Sequence, residues 1–361
     1  MEKKGALPCQ WIQKAIEKKL ICGASLKNIS PASLDLSLSE KVFRVDGIVQ
    51  PRSGERIENL LECLNARPHD LSSPLELGVV YLAKLNESLA LPEDVYGFCN
   101  PKSSTGRDDV HVRVMTDGIP RYDFIYPPGF HGDLWIVINP KSFPVKLSPG
   151  EKLSQVRFFN KDTRFNESEL VKRVNADKLV WHSGMPLLYS DLKVSNGDGS
   201  LILTAAVSEA IGWHSIYTRQ VMDFSKQYAQ KDFFEPVVSH DGHILLRRGE
   251  FYILSTRESI RVPPWLACEM VPMDERSGDF RSHYAGFIDP GWGWGKNGEG
   301  KGRPITLEVR PFEDMLVRDN QPIARVRFEE MTENPKFLYD EMETSHYVVQ
   351  SGPRLSKRFN S

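Results

Sequence analysis

Gly78-Val-Val-Tyr-Leu-Ala-Lys-Leu-Asn-Glu-Ser-Leu-Ala-Leu-Pro92 reads like Gly249-Glu-Phe-Tyr-Ile-Leu-Ser-Thr-Arg-Glu-Ser-Ile-Arg-Val-Pro263. A second pair of stretches follows the same rule. Gly150-Glu-Lys-Leu-Ser-Gln-Val-Arg-Phe-Phe159 reads like Asn320-Gln-Pro-Ile-Ala-Arg-Val-Arg-Phe-Glu329. The offset stays near about 170 residues at both places, so one module is duplicated rather than a short solenoid unit repeated. Between these anchors the copies diverge. The first has Tyr126-Pro-Pro-Gly-Phe130 and Trp135-Ile-Val-Ile138, the second Ile288-Asp-Pro-Gly-Trp292 and Ile305-Thr-Leu-Glu-Val309. An active site is expected where the copies differ.

The bulk composition sets limits on that site. At 361 residues the chain has room for two domains, each with its own core. A formal net charge of −2 argues against broad electrostatic binding to nucleic acid or to an anionic membrane. Any phosphate site must therefore be built locally. No apolar run is long enough to span a bilayer, and Met1 to Pro8 lacks the apolar core of a signal peptide. The five cysteines (Cys9, Cys22, Cys63, Cys99, Cys268) are scattered and never form a Cys-x-x-Cys pair. That pattern suits a reducing cytoplasm, with the thiols buried as small apolar groups.

Helical spacing of Trp11, Ile12, Ala15, Ile16 and Leu20 predicts a short amphipathic helix over Cys9–Leu20. Strand signals dominate after it. Ser33-Leu-Asp-Leu-Ser-Leu38 alternates, as does Val145-Lys-Leu147 before the turn Ser148-Pro-Gly150. With 24 prolines and 26 glycines, the chain reads as many short strands, a β-sandwich or distorted barrel in each copy. Residues 1–170 are the first module, 171–235 a connector and entry to the second, 236–335 the second module, and 336–361 a C-terminal segment. Within the connector, Ser208–Trp213 and Val221–Lys231 read as helical or irregular. The tail from Leu338 ends basic and has no evident core face, which fits a segment that orders on a ligand or a frayed terminus.

Several segments have the right residues for chemistry. Pro101-Lys-Ser-Ser-Thr-Gly-Arg107 puts hydroxyls, a glycine and two cations close together, as a phosphate cradle requires, although a polar turn accounts for it equally. In Ile305-Thr-Leu-Glu-Val-Arg310, Thr306, Glu308 and Arg310 share one face of a strand. That is either an amphipathic strand with a solvated Glu–Arg pair or a pocket wall carrying a general acid/base. Ile288-Asp-Pro-Gly-Trp292 suits a type I turn, and Asp289 is also placed to accept from a sugar or base edge. The glycine-rich stretch Trp292–Arg303 fails as a Walker motif because Gly302 follows Lys301 and a strand, not a helix, comes next. It reads as a basic lid or a surface loop. His240-Asp-Gly-His243 is a hairpin signal rather than half of a metal site. No His-x-Glu with Pro-Cys-x-x-Cys occurs, so the zinc deaminase signature is absent.

In this order the segments resemble the deoxycytidine triphosphate (dCTP) deaminase family, in its fused, duplicated bacterial form. The resemblance implies a mainly β fold of two tandem dUTPase-like distorted β-barrel (β-clip) modules with few short helices. Ile29 to Leu38 resembles the family's N-terminal strand. Lys102-Ser-Ser-Thr-Gly-Arg107 resembles its triphosphate loop, with Lys102 in place of an arginine. Hence Lys102, Ser103, Ser104 and Arg107 are implied to hold the triphosphate. Asp289 and Thr306 are implied to hold base and sugar, and Glu308 to be the catalytic carboxylate. Tyr339, His346, Tyr347, Gln350 and Gly352 keep the spacing of a closing segment. Trp292 and Arg281 are further candidates, Arg281 as a remnant of the phosphate loop in copy two. Copy one has Pro127 and Val137 or Ile138 near the carboxylate positions, so it is expected to be inactive alone. One site is expected to combine the loop of copy one with the carboxylates of copy two.

The implied reaction is metal-independent hydrolysis of dCTP to dUTP and ammonia, feeding deoxynucleotide synthesis. No cofactor is tightly bound, and Mg²⁺ travels on the substrate triphosphate. Binding of dTTP or dUTP, a homo-oligomer (a trimer of fused chains), and no nucleic-acid or membrane partner complete the expectation. Two other readings stand beside it. One is a dUTP diphosphatase or bifunctional enzyme; the other is a non-catalytic nucleotide sensor.

Overall fold

The computed structural model carries the repeat into three dimensions, residue against residue. It describes residues 3–192, 195–208, 212–281, 286–342 and 352–360. The fold is mostly β, with a nearly closed barrel-like sheet and few helices. Two compact units divide the chain. The N-terminal unit is Leu7–Lys161, joined by Tyr217–Tyr228 and the segment from Arg358; the C-terminal unit comprises Asp162–Ile216, Ala229–Lys357 and the residues up to Ala6.

In the N-terminal unit the strand order is Val110–Thr116, His131–Pro140, Val80–Ala90, Ser33–Val45, Lys152–Phe159, Tyr96–Pro101, Phe124–Ile125. In the C-terminal unit, Arg303–Pro311 pairs with Tyr252–Ile260. Leu201–Thr204, Pro322–Glu330, Leu266–Val271 and Phe287–Ile288 lie in that order in a second sheet. The duplicated stretches are thus the strands Val80–Ala90 and Tyr252–Ile260. Their registers agree: Tyr81 faces Ile138 as Tyr252 faces Val309, and Leu82 faces Val137 as Ile253 faces Glu308.

The turns agree as well. Gly78 N–H donates to the Pro140 carbonyl and Gly249 N–H to the Pro311 carbonyl, each at 2.8 Å. Both glycines sit at φ +76°, where a side chain would be strained. Tyr81 Oη accepts from Glu76 N–H, and Tyr252 Oη from Arg247 N–H, at 3.0 Å in each case. A buried carboxylate grips the neighbouring strand in each unit. Glu87 accepts from Ser37 N–H at 2.9 Å and Ser37 Oγ at 2.7 Å. Glu258 accepts from Thr204 N–H at 2.7 Å and Thr204 Oγ1 at 2.8 Å.

The structure departs from expectation in several places. The opening helix ends at Glu17, because Lys18 caps it and Lys19 turns to φ +57°. Glu167–Asp177 is an α-helix, unexpected because only Leu170 and Val174 form its apolar face. Asn166 and Glu169 close its N-terminus reciprocally as a capping box, which stabilises so short a helix. The described part of 208–213 enters the strand Gly212–Ser215, and 221–231 yields only the strand Met222–Asp223 and one 3₁₀ turn, with no α-helix. Cys22 and Cys63 are exposed, while Cys9, Cys99 and Cys268 are buried. Nor is the described end of the tail frayed: Leu355, Ser356, Arg358 and Phe359 are all buried.

Candidate active site

Strand Arg303–Pro311 is buried on both faces, which removes the solvated reading of its carboxylate. Ile305, Leu307 and Val309 enter the core of the C-terminal unit. On the other face Thr306 and Glu308 are 4% and 2% exposed. Cross-strand pairing puts Trp213, Ile253 and Glu308 in one row, with Ser255 and Thr306 opposite each other in the next. Ile253 is thus the cross-strand neighbour of the carboxylate, with the Trp213 indole one strand beyond it, while a hydroxyl-bearing pair lies two residues away. The tail covers the same face. Trp213 Nε1–H donates to the Pro353 carbonyl at 3.3 Å, and Thr306 Oγ1 accepts from Arg354 N–H at 3.4 Å. Arg310 turns aside: its guanidinium donates to the Gly249 carbonyl and lies over Phe251 at 5.8 Å.

Asp289 is buried at the end of strand Phe287–Ile288, whose Ile288 pairs with Cys268. The turn it opens is closed by Trp292 N–H donating to the Asp289 carbonyl at 3.1 Å, as the Asp-Pro-Gly sequence requires. Gly291 has no room for a side chain, since a Cβ there would lie 2.5 Å from Leu338 Cβ and 2.7 Å from Tyr339 N. That close approach lets Tyr339 N–H donate to the Pro290 carbonyl at 2.9 Å and its ring meet Trp292 at 5.1 Å. Arg303 lies over Trp292 at 5.7 Å and pairs with Asp340 at 2.7 Å.

The glycine-rich stretch after Trp292 is a packed loop, not an open lid. Arg261 lies over the Trp294 ring at 4.4 Å and donates to the carbonyls of Gly298 and Gly300, both at 3.3 Å. Trp265 meets Trp294 edge-on at 5.3 Å. Desolvation lowers the pKa of Arg261 from its usual value.

In the N-terminal unit, Ser103–Arg107 forms one short helical turn after strand Tyr96–Pro101. Ser104 and Arg107 are buried, and Ser103 is half-buried. Lys102 is ion-paired with Asp35 of the strand Ser33–Val45, and its N–H donates to the Leu153 carbonyl at 2.9 Å. The four residues therefore sit together on a turn anchored to two strands. Sequence reading missed Asp35, although it is the one charge in the alternating stretch Ser33–Leu38. It also missed Trp213 and Pro353, for which the sequence offers no local signal.

The register also corrects one alignment. Asn100 pairs with Gln155 as Val271 pairs with Arg325, which sets Pro101 to Thr105 of the N-terminal unit against Pro272 to Arg276 of the C-terminal unit. Asp274 and Glu275 then fall where the other unit has Ser103 and Ser104. Arg281 lies on a strand opposite Arg310, as His111 lies opposite Asn139, and so does not correspond to Arg107. His346 and Gln350, like Tyr347, lie outside the described residues. Among the described residues no group of three or more His, Cys, Asp or Glu side chains could hold a metal ion. No helix among them is long and apolar enough to cross a membrane.

Comparison with known proteins bears on this arrangement. Residues 3–162 match the family model of the 2′-deoxycytidine 5′-triphosphate deaminase N-terminal domain, and residues 167–359 that of its C-terminal domain. The crystal structure of 2′-deoxycytidine 5′-triphosphate deaminase from Agrobacterium tumefaciens superposes with a TM-score of 0.84 at 36% identity. The match covers 93% of this chain and 98% of that one. A "dCTP deaminase, dUMP-forming" of Methanothermobacter thermautotrophicus is 31% identical over 156 residues, 41% of this chain and 75% of the relative. A "Probable deoxyuridine 5′-triphosphate nucleotidohydrolase" of Methanopyrus kandleri is 28% identical over 129 residues, 36% of this chain and 77% of the relative.

Proposed function

The chain belongs to the 2′-deoxycytidine 5′-triphosphate deaminase family, and from that premise we propose the part each residue plays and the product released. The enzyme is a dCTP deaminase, a hydrolase acting on a C–N bond. Water adds to C4 of the cytosine, N3 gains a proton, and the amino group leaves as ammonia, giving dUTP. Glu308 takes one proton from the water and passes it to N3, then takes the proton of the new C4 hydroxyl and gives it to the leaving nitrogen as C4=O forms. The observation that carries this assignment is the burial of Glu308, 2% exposed beside Ile253. A carboxylate in dry surroundings is a stronger base toward an approaching water than one in solvent.

Asp289 and Thr306 hold the sugar and base, and Tyr339 with Trp292 forms a wall beside them. Lys102, Ser103, Ser104 and Arg107 hold the triphosphate, with Mg²⁺ entering on the substrate as a hard cation bound to phosphate oxygens. His346 and Gln350 belong to the closing segment, and Arg281 is a flanking cation. The proposal extends to a homo-oligomer of fused chains, a trimer in the first instance, and to cytoplasmic residence. Sedimentation velocity tests the trimer.

A second reading has its own support. The relative from Methanothermobacter is named as dUMP-forming, which adds cleavage to dUMP and pyrophosphate after deamination. That match covers 41% of this chain, whereas the relative matched over 93% is named a deaminase alone. Deamination to dUTP is therefore the first reading. Incubation with dCTP and, separately, with dUTP decides between them. Ammonia without pyrophosphate supports the first and pyrophosphate the second; neither product overturns both in favour of a nucleotide sensor.

A further inference from the structure

The residue that follows the proposed triphosphate loop is a fully buried aspartate, and its charge partner is the fourth residue from the end of the chain. Asp108 is 0% exposed and caps the turn Ser103–Arg107, its N–H donating to the Ser104 carbonyl at 3.2 Å. Arg358 is 2% exposed; it is ion-paired with Asp108 and lies 3.6 Å from Glu151. Its guanidinium is 3.4 Å from the centre of the Phe224 ring.

The backbone around Arg358 is fixed on both sides. Tyr228 N–H donates to the Arg358 carbonyl at 2.8 Å, and Asn360 N–H to the Tyr228 carbonyl at 3.1 Å. Tyr228 Oη in turn accepts from Asp223 N–H at 2.7 Å. The strand Met222–Asp223, next to Phe224, runs parallel to Val145–Lys146. All of these residues belong to the N-terminal unit.

We infer that Arg358 is a positioning residue for triphosphate binding: through Asp108 it fixes the turn that presents Ser103, Ser104 and Arg107. This rests on the assignment of that loop to the triphosphate. A buried carboxylate is tolerable only with a compensating charge, and losing one partner of a buried pair costs far more than losing both. Without Arg358, Asp108 must find water or a proton, and the turn it caps moves with it. Arginine suits the role better than lysine because its planar guanidinium stacks on Phe224 while bonding to Asp108.

The test compares Arg358→Met, Arg358→Lys, Asp108→Asn/Arg358→Met and Arg107→Ala with the wild-type chain. Steady-state kinetics with Mg²⁺–dCTP is paired with calorimetric binding of dCTP and of dCMP. Arg358→Met is expected to raise KM for dCTP by about tenfold or more, with kcat changed by less than about threefold. Binding of dCMP stays as in the wild type, Arg358→Lys recovers part of the loss, and the double variant recovers more of it than Arg358→Lys. Wild-type KM in Arg358→Met overturns the inference, and so does a fall in kcat or melting temperature with KM unchanged. Should Arg358→Met fail to fold, Arg358→Lys decides: a KM for dCTP above that of the wild type supports the inference, and a wild-type KM overturns it. If Arg107→Ala also leaves KM for dCTP unchanged, the assignment of the loop has failed. If Arg107→Ala raises KM and no Arg358 variant does, only the inference has failed.

Discussion

The same face of the same strand carries Phe43–Leu82–Val137 across the N-terminal unit and Trp213–Ile253–Glu308 across the C-terminal unit. Next to these rows stand Trp135 in one unit and Thr306 in the other. Backbone and register are shared, so the chemistry of the face follows from what covers it. In the N-terminal unit, Ile57, Leu60 and Leu64 pack onto it with Val45 and Met115 as an apolar cluster. These come from a 3₁₀ turn and a short helix, Ile57–Asn59 and Leu60–Cys63. In the C-terminal unit, among the described residues, the backbone of Pro353 and Arg354 bonds to Trp213 and Thr306 on that face. Burying each large apolar side chain stabilises by roughly 1.5–3 kcal/mol, whereas an uncompensated carboxylate in the same place is strongly destabilising. One copy of the face therefore serves stability and the other remains available for chemistry.

Four changes probe that contrast, ordered by expected effect. Glu308→Gln should lower kcat by about 10³-fold, in line with the loss of a general acid/base, while dCTP binding by calorimetry stays within about threefold. A loss of turnover under tenfold would break the contrast at its centre. Trp135→Ala should cost about 3–5 kcal/mol in urea unfolding, as for a large core truncation, and leave kcat of the folded enzyme unchanged. A marked fall in kcat would show that the apolar face also serves the reaction.

Glu87 tests what the two units share. Burial is the main cause that raises its pKa from 4.5 to about 7, against the opposing hydrogen bonds from Ser37. The unfolded chain releases this proton near 4.5 and the folded chain only near 7, so the folded state binds more protons between them. Stability from Glu87 is complete below about pH 4.5 and is lost as pH rises toward 7. Unfolding free energies measured across that window should fall with pH, and Glu87→Gln should flatten the slope. An unchanged slope would place the titration elsewhere. Arg44→Ala, at an exposed pair with Glu76 at 3.0 Å, should change stability by under about 1 kcal/mol. A larger value would mean that edge contacts, and not the apolar cover, distinguish the N-terminal unit.

The duplication was legible because turn chemistry is local. Gly78 and Gly249 need the same positive φ, and the strands after them inherit one register. The Asp289 turn was legible for the same reason. Whether Glu308 faced solvent was not, because alternation along Ile305–Arg310 cannot tell a solvated face from one covered by distant chain. The stretch after Trp292 was left between a lid and a surface loop because its glycines are visible in sequence, while the arginine that packs against Trp294 lies upstream at position 261. The helix Glu167–Asp177 was lost to a narrow apolar stripe, although its capping box stood in the sequence. Asp108 and Arg358, 250 residues apart, carry no signal that pairs them.

The apolar cover over Trp135 and Val137 also bears on how the two copies drifted apart. A single substitution placing a carboxylate at position 137 would set a charge against Ile57, Leu60 and Met115, and the protein would lose stability before it gained any chemistry. Recovery would need the covering turn and helix to leave and at least two strand residues to change together. The arrangement thus works as a ratchet: with the turn and helix closed over the strand, each single step toward a carboxylate leads through a less stable protein.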